Sequence, residues 1–269
     1  MSELCAIVLA AGEGTRLRPL TLARPKALCP VGNVPLLDRA LAHLAGVGLA
    51  GPARVAANAS WLADQVVAHA AGRVHLSVEP RPLGTAGGLA RLRDWIAGRA
   101  VLAGNADAYL AGGSLAALLA GWDGETVRLL GVPAWPGVAG TFSGHAFAGF
   151  SLLPWRWVRD LPGGGELVRA VWRPAEAAGR LEVVPFTGYF RDTGTPADYL
   201  AANLHAAGDG NLIAAGATVT GRCRRAVVGA GAEVHGELIR AVVWPGARVR
   251  AGERLTDAIR TAPIAGAAA

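Results

Sequence analysis

The apolar run Leu4–Leu9 passes at once into Ala10-Ala11-Gly12-Glu13-Gly14-Thr15-Arg16, and this junction restricts the fold more than any other stretch of the chain. A short continuous apolar run reads as a strand buried on both faces, the pattern of a parallel α/β sheet. Gly12 and Gly14 let the backbone turn at the strand's carboxyl end, where successive N–H groups can face a phosphate with no Cβ in the way. Thr15 and Arg16 add a hydroxyl and a fixed positive charge there. Two other phosphate loops are excluded. A Walker loop needs Gly-Lys-Ser/Thr after its second glycine, and a dinucleotide fingerprint needs a third glycine where Leu17 stands.

The pattern downstream continues the same theme. Pro35 to Gly48 carries Leu36, Leu37, Ala40, Leu41, Leu44 and Val47 at helical spacing. Ala53 to Ala57 reads as the next strand, ending at Asn58, and Ser60 is placed to cap a helix carrying Trp61, Leu62, Val66 and Val67. Val74 to Glu79 returns as strand, Ala86 to Ala97 as helix, and Ala100 to Ala103 as a buried strand followed by Gly104-Asn105-Ala106-Asp107. Strands are expected from Thr126 to Pro133, Gly144 to Leu153 and Leu181 to Phe186, with a helix from Glu166 to Ala178. Such alternation predicts a Rossmann-like, mixed but mainly parallel sheet covered by helices. Ligands of open α/β sheets sit outside the strands' carboxyl ends, which makes Asp107 a candidate for chemistry.

Charge and cysteine content narrow the chemistry. The 269 residues carry a formal charge of +6, and 26 of them are Lys or Arg, yet only Lys26 is a lysine. Where a generic cation suffices this chain uses arginine, so a lone ammonium beside the glycine loop points to a compact charge set against a phosphoryl oxygen. The arginines are scattered without a basic run, which suits small phosphorylated substrates and not nucleic acid. The three cysteines, Cys5, Cys29 and Cys223, have neither metal-ligand nor disulfide spacing. With no signal peptide or membrane span in the pattern, cytoplasmic residence is expected.

Gly12-x-Gly14-Thr-Arg-Leu-Arg-Pro-Leu-Thr21, followed by Pro25-Lys26-Ala-Leu-x-Pro30-Val-Gly32-Asn-x-Pro35-Leu, closely resembles the signature of the sugar-1-phosphate nucleotidylyltransferases, or NDP-sugar pyrophosphorylases. The resemblance extends over Leu4 to Asn203 and implies a GT-A-like catalytic domain over 1–208. It implies that Leu9, Ala11, Gly12, Gly14 and Thr15 bind substrate, with Gly12, Gly14 and Arg16 holding the triphosphate and Arg16, Lys26 and Asp107 catalytic. The Leu83-Gly84-Thr85-Ala-Gly87 segment, with Glu79 before it, would line the nucleobase pocket. Phe147-Ala-Gly149-Phe150 matches the segment that packs on the sugar. Glu166 suits either a sugar-hydroxyl acceptor or an ordinary first-turn glutamate. Asp192, before Thr193-Gly194-Thr195-Pro196, joins Asp107 as an expected ligand of Mg2+, the implied cofactor. The chain departs from the family in two places: Asn105-Ala106-Asp107 stands for Asn-Gly-Asp, and Ala134-Trp135-Pro136-Gly137 replaces a Glu-Lys-Pro whose lysine meets the sugar phosphate. Either an arginine substitutes, or the chain belongs to a branch without that lysine, as relatives of the muramic-acid-1-phosphate uridylyltransferases do.

From Asn211 the chain repeats a Gly-Ala-x-Val unit every 15 residues, at Gly216, Gly231 and Gly246. It resembles a short left-handed β-helix over 209–259, with a flexible tail over 260–269. A regular coil of three hexapeptides would need about 18 residues, so irregular coils are expected. Open coil ends imply docking, on the catalytic domain or on another subunit of a homo-oligomer. The implied reaction transfers a nucleotidyl group from a nucleoside triphosphate to a sugar 1-phosphate, with guanylyl transfer to mannose 1-phosphate the first expectation. Uridylyl or thymidylyl transfer to glucose or N-acetylmuramic acid 1-phosphate is the alternative. A catalytically silent NDP-sugar-binding regulator is the competing class.

Overall fold

The computed structural model describes residues 3–138 and 140–262. By the density of its contacts the chain divides into two compact units. The first comprises Met1–Glu13, Pro25–Ala27 and Leu37–Asp192; the second comprises Gly14–Arg24, Leu28–Leu36 and the chain from Thr193 onward. The boundary expected at 208 follows where the repeats begin, whereas packing places the helix Pro196–Ala207 with the repeats.

The first unit is built on a seven-stranded sheet. Its strands are β1 (Leu4–Leu9), β2 (Val55–Ala59), β3 (His75–Val78), β4 (Ala100–Asn105), β5 (Val127–Pro133), β6 (His145–Leu153) and β7 (Leu181–Pro185). The order is β7-β5-β6-β4-β1-β2-β3. All neighbours run parallel except β6, which is antiparallel to both β4 and β5. Cys5, Ala6, Ile7 and Val8 of β1 are fully buried, as a central strand between two parallel neighbours requires. One face packs Ile7, Val101 and Leu129 with Leu89, Ile96 and Val171 in a single apolar cluster.

The helices are shorter than periodicity predicts. The first spans Leu36–Ala45. The second begins at Ala63, because Leu62 takes a left-handed conformation (φ 49°), so Ser60 does not cap it. The stretch expected as one helix over 86–97 is two, Gly84–Arg91 and Arg93–Ile96. Beyond Glu166 the chain makes wide i→i+5 turns over Val168–Trp172 before an ordinary helix, Arg173–Ala177. Within the first unit the pattern missed the strands Ala108–Ala111 and Tyr189–Asp192, which run antiparallel with Ala108 opposite Asp192.

In the second unit, Pro30–Val31 and Val34–Pro35 form a hairpin whose turn residues Gly32 and Asn33 both have positive φ. Positive φ at both positions defines a type I′ turn, which Gly and Asn tolerate. Gly32 N donates to Asn203 Oδ1 (2.9 Å), and the buried Tyr199 hydroxyl donates to Pro30 O and accepts from Trp244 Nε1 (3.0 Å). The helix Pro196–Ala207 starts with Pro at its first turn, and Thr195 Oγ1 accepts from Asp198 N. Among the described residues the repeats then form three parallel sheets of four, three and three strands, three coils giving one strand to each and Ile259–Arg260 adding a fourth to the first. Leu212, Val227 and Val242 stack in register at 15-residue steps, and Ile259 follows 17 residues later. The coils are thus shorter than the 18-residue form, with two extra residues in the last. Ala226, Val228, Val234, Leu238, Val243 and Val249 fill the interior. Of the expected tail, Arg260 pairs in the last strand, and 263–269 lie outside the described residues.

Candidate active site

Sheet register assembles the first unit's site. Leu9 pairs with Asn105, and Ala57 with Val8, so the carboxyl ends of β1, β2 and β4 finish together. Ala10 N donates to Asn58 Oδ1 (2.7 Å), and Ala106 N to Leu9 O (3.0 Å). A cleft of about 370 Å³ opens there, lined by Leu9, Ala11, Gly12, Lys26, Asn58, Gly84, Thr85, Asn105, Asp107 and Glu166.

Lys26 begins a short 3-10 turn and is only 8% exposed. Its Nζ lies 2.5 Å from Asp107 Oδ2 and 3.7 Å from Asp192 Oδ1. The missed strand pair explains that convergence: Ala108, next to Asp107, lies opposite Asp192 in the register. A buried ammonium between two half-exposed carboxylates is compensated in charge yet open to a ligand. Two hard oxygen donors converging on one point also fit a divalent cation of the magnesium type.

Gly12 lines the cleft without positive φ, and a Cβ built on it would meet no protein atom within 4 Å. Neither local geometry nor packing demands glycine at this position; the free approach is to whatever enters the cleft. Gly14 differs: it is left-handed (φ 64°), and its carbonyl accepts from Thr21 Oγ1 (2.7 Å). Gly14, Thr15 and Arg16 belong to the second unit, where Thr15–Leu17 forms a 3-10 turn and the Thr15 and Arg16 side chains are exposed. Ala106, which stands for the family glycine, is buried and does not have positive φ, so the substitution asks nothing unusual of the backbone.

The Gly84 segment packs against the loop Pro162–Glu166. Gly84 has φ +77°, and a Cβ there would stand 2.4 Å from Gly165 O. Thr85 Oγ1 donates to Glu166 Oε2 (2.7 Å) and accepts from Leu167 N (2.7 Å), which fastens the loop to the helix start. Both Thr85 and Glu166 still line the cleft. Glu79 is 2% exposed and does not line it. Its carboxylate accepts from Asn58 Nδ2 (2.7 Å) and from Leu83 N (3.0 Å), so it acts by holding Asn58 and the loop in place. Asn58, which no motif singled out as a site residue, is the hub of this arrangement. The one sequence signal for it was its position at a strand's carboxyl end. Gly149 has φ +85°, and a Cβ there would lie 2.2 Å from Ala108 Cβ; close packing accounts for this glycine, and its neighbour Phe147 faces a second cavity instead. Among the described residues of this unit, no arginine lines the cleft. A separate cavity of about 590 Å³ near Trp122 and Trp155 is lined by Leu4, at the amino end of β1, away from the carboxyl ends where the polar groups gather.

The chain is similar to known proteins over much of its length. The family model for nucleotidyl transferases matches residues 5–118. The N-acetylmuramate α-1-phosphate uridylyltransferase of Caulobacter vibrioides is 29% identical over 236 residues, covering 75% of this chain and 96% of that protein. Over three quarters of its length, then, the chain is similar to a sugar-1-phosphate nucleotidyltransferase. The mannose-1-phosphate guanylyltransferase of Mycobacterium tuberculosis is 34% identical over 123 residues, covering 44% of this chain but 33% of its own length. The same fold occurs in a crystal structure described as a glucose-1-phosphate thymidylyltransferase of Bacillus anthracis, with a TM-score of 0.67, 19% identity, and coverage of 76% of this chain and 95% of that one. Among the described residues, no helix is long and apolar enough to cross a membrane.

Proposed function

We propose that this nucleotidyltransferase joins a nucleoside triphosphate to the 1-phosphate of an amino sugar of the N-acetylmuramate kind, by uridylyl transfer with release of pyrophosphate. The observation that carries the catalytic part is Lys26 Nζ held between Asp107 and Asp192 at the edge of a cleft bordered by Gly12. A sugar 1-phosphate is already an anionic nucleophile, so no Ser–His or Cys–His activation is needed. What the transfer requires is in-line positioning and neutralisation of charge around the α-phosphorus. Lys26 would neutralise the phosphates as pyrophosphate departs, and Gly12 would let the backbone approach them. Gly14, Thr15 and Arg16 would hold the triphosphate from the same loop. Asp107 and Asp192 would hold magnesium, which, when bound, screens phosphate charge.

Breadth of alignment supports this choice of sugar. The uridylyltransferase relative aligns over nearly its whole length, whereas the guanylyltransferase relative aligns over a third of its own. That difference moves the preference away from mannose 1-phosphate and GTP. The test is pyrophosphate release with magnesium, pairing GTP, UTP, dTTP, CTP and ATP with mannose, glucose, N-acetylglucosamine and N-acetylmuramate 1-phosphates. Turnover of UTP with an N-acetylated sugar is the expected result; turnover confined to GTP and mannose 1-phosphate would reverse the substrate choice. Silence throughout would favour a regulator that only binds NDP-sugars.

A further inference from the structure

Behind Thr85 and Glu166 a second cavity of about 210 Å³ continues from the cleft, sharing Leu9, Thr85, Asn105 and Glu166 with it. Two polar groups among its lining residues are unpaired. Ser151 is 1% exposed and Trp172 is 9% exposed, and neither Ser151 Oγ nor Trp172 Nε1 has a hydrogen-bond partner. Two such residues on one cavity are unusual, since an unpartnered buried donor costs free energy that folding normally avoids. Trp172 is set in the wide turns over Val168–Trp172, and its ring packs on Phe147 at 4.4 Å between centroids. Turns of this kind often mark functional sites.

We infer that this cavity is a subsite for an N-acyl group on the sugar, with Ser151 and Trp172 donating to the acyl carbonyl. The inference rests on the nucleotidyltransferase reading of the adjoining cleft. Indole N–H is a donor only, and a serine hydroxyl can donate, so the occupant must bring an acceptor. Glu166 lines both cavities and uses Oε2 for Thr85, leaving Oε1 to accept from an amide N–H. Phe147, Leu167 and Val168 supply an apolar wall for an alkyl end. A secondary amide with a short alkyl group meets all three demands. A bare hydroxyl leaves the apolar wall uncovered. A carboxylate would be buried beside Glu166 in a cavity that no Lys or Arg lines, which is costly.

Titration calorimetry of the whole protein with N-acetylglucosamine 1-phosphate and with glucose 1-phosphate tests this, with Ser151→Ala and Trp172→Phe as variants. The acetylated ligand should bind at least about tenfold more tightly, as one or two well-made hydrogen bonds in a buried site imply. Each variant should erase most of that preference and change glucose 1-phosphate binding by less than about twofold. Ser151→Ala removes a single hydroxyl, so it keeps the test valid if Trp172→Phe disturbs the packing. Equal affinities for the two ligands, failure of the acetylated one to bind, or equal losses for both ligands in the variants would overturn the subsite. Pyrophosphate release measured in parallel separates the two readings. Turnover without acyl preference removes the subsite and leaves the activity, whereas acyl-selective binding without turnover on any pair removes the activity and leaves the subsite.

Discussion

Replacing Asn58 by Ala should destabilise the first unit and slow the reaction together. The side chain makes two bonds: Oδ1 accepts from Ala10 N at 2.7 Å, and Nδ2 donates to Glu79 Oε1 at 2.7 Å. Asn58 is 2% exposed, as is Glu79, and Ala10 is 6% exposed, so water reaches neither partner freely. An orphaned buried N–H costs about 1–3 kcal/mol, and loss of a bond to an ionised group about 1.5–3 kcal/mol. The two losses share one cavity and are not additive, and Asn58 borders the cleft, through which a water can enter. A net cost of about 3 kcal/mol follows, which at a slope of about 3 kcal/mol per molar moves the urea midpoint by about 1 M. Because Ala10 leads directly into Gly12, kcat should fall too, by about tenfold or more. Asn58→Asp keeps the acceptor for Ala10 but sets a second carboxylate against Glu79, so it too should be less stable than the parent. A midpoint within about 0.3 M of the parent, with unchanged turnover, would refute the claim that this side chain organises the site.

Lys26→Met should lower kcat by two or more orders of magnitude while circular dichroism stays native, and Lys26→Arg should not restore it, since a planar guanidinium does not fit between Asp107 and Asp192 as a compact ammonium does; near-normal turnover in either variant would remove the lysine's role. Gly149→Ala should cost about 2–4 kcal/mol in urea unfolding, because its φ of +85° and a 2.2 Å approach to Ala108 Cβ both oppose a side chain; a cost below about 1 kcal/mol would show that the strands adjust easily. Burial pushes the Cys5 thiol from 9.0 up to about 11. The unfolded chain therefore releases this proton first, so stability is full below about pH 9 and falls by about 2–3 kcal/mol on the way to pH 11. Cys5→Ala should lose that part of the alkaline decline, and identical pH slopes in denaturant titrations of the two proteins would refute it. Burial lowers the His43 pKa, and its Nε2 lies 3.3 Å from Leu110 O. Stability held by neutral His43 is present above the unfolded value of 6.5 and lost as pH falls below it, so His43→Gln should flatten the acid limb of the same titration.

The sheet was legible because its signal is local. Each buried strand is a short apolar run bounded by glycine or polar residues, and β1 was found to the residue because Leu4–Leu9 has no polar interruption. Helix starts were less legible, since they depend on backbone conformations that composition only suggests. Ser60 is a good cap by type, yet Leu62 adopts a left-handed conformation that only the tertiary context selects, and the helix begins after it. The strands Ala108–Ala111 and Tyr189–Asp192 escaped notice because each is four residues long and their pairing spans about eighty residues of chain.

That same long-range pair decides what could be read of the site. Lys26, Asp107 and Asp192 were each visible, one as the only lysine and two as carboxylates in ordered motifs, but nothing local says that they meet. Their meeting depends on register: shifting the Ala108–Asp192 pairing by one residue would turn the following side chains to the other face. Asn58 and Glu79 show the converse. Glu79 entered the expected nucleobase pocket through the family resemblance of its segment, and only the fold reveals that its buried carboxylate accepts from Asn58. Gly88 ties the two observations together, since a Cβ on it would stand 2.5 Å from Asn58 Nδ2 and 3.2 Å from Glu79 Oε1. The glycines of this segment therefore serve two masters: Gly84 and Gly87 admit the Pro162–Glu166 loop, and Gly88 admits the buried amide–carboxylate pair. A motif read as a nucleobase contact is thus also the packing surface on which the cleft is assembled, and substitutions there should disturb folding and ligand binding together.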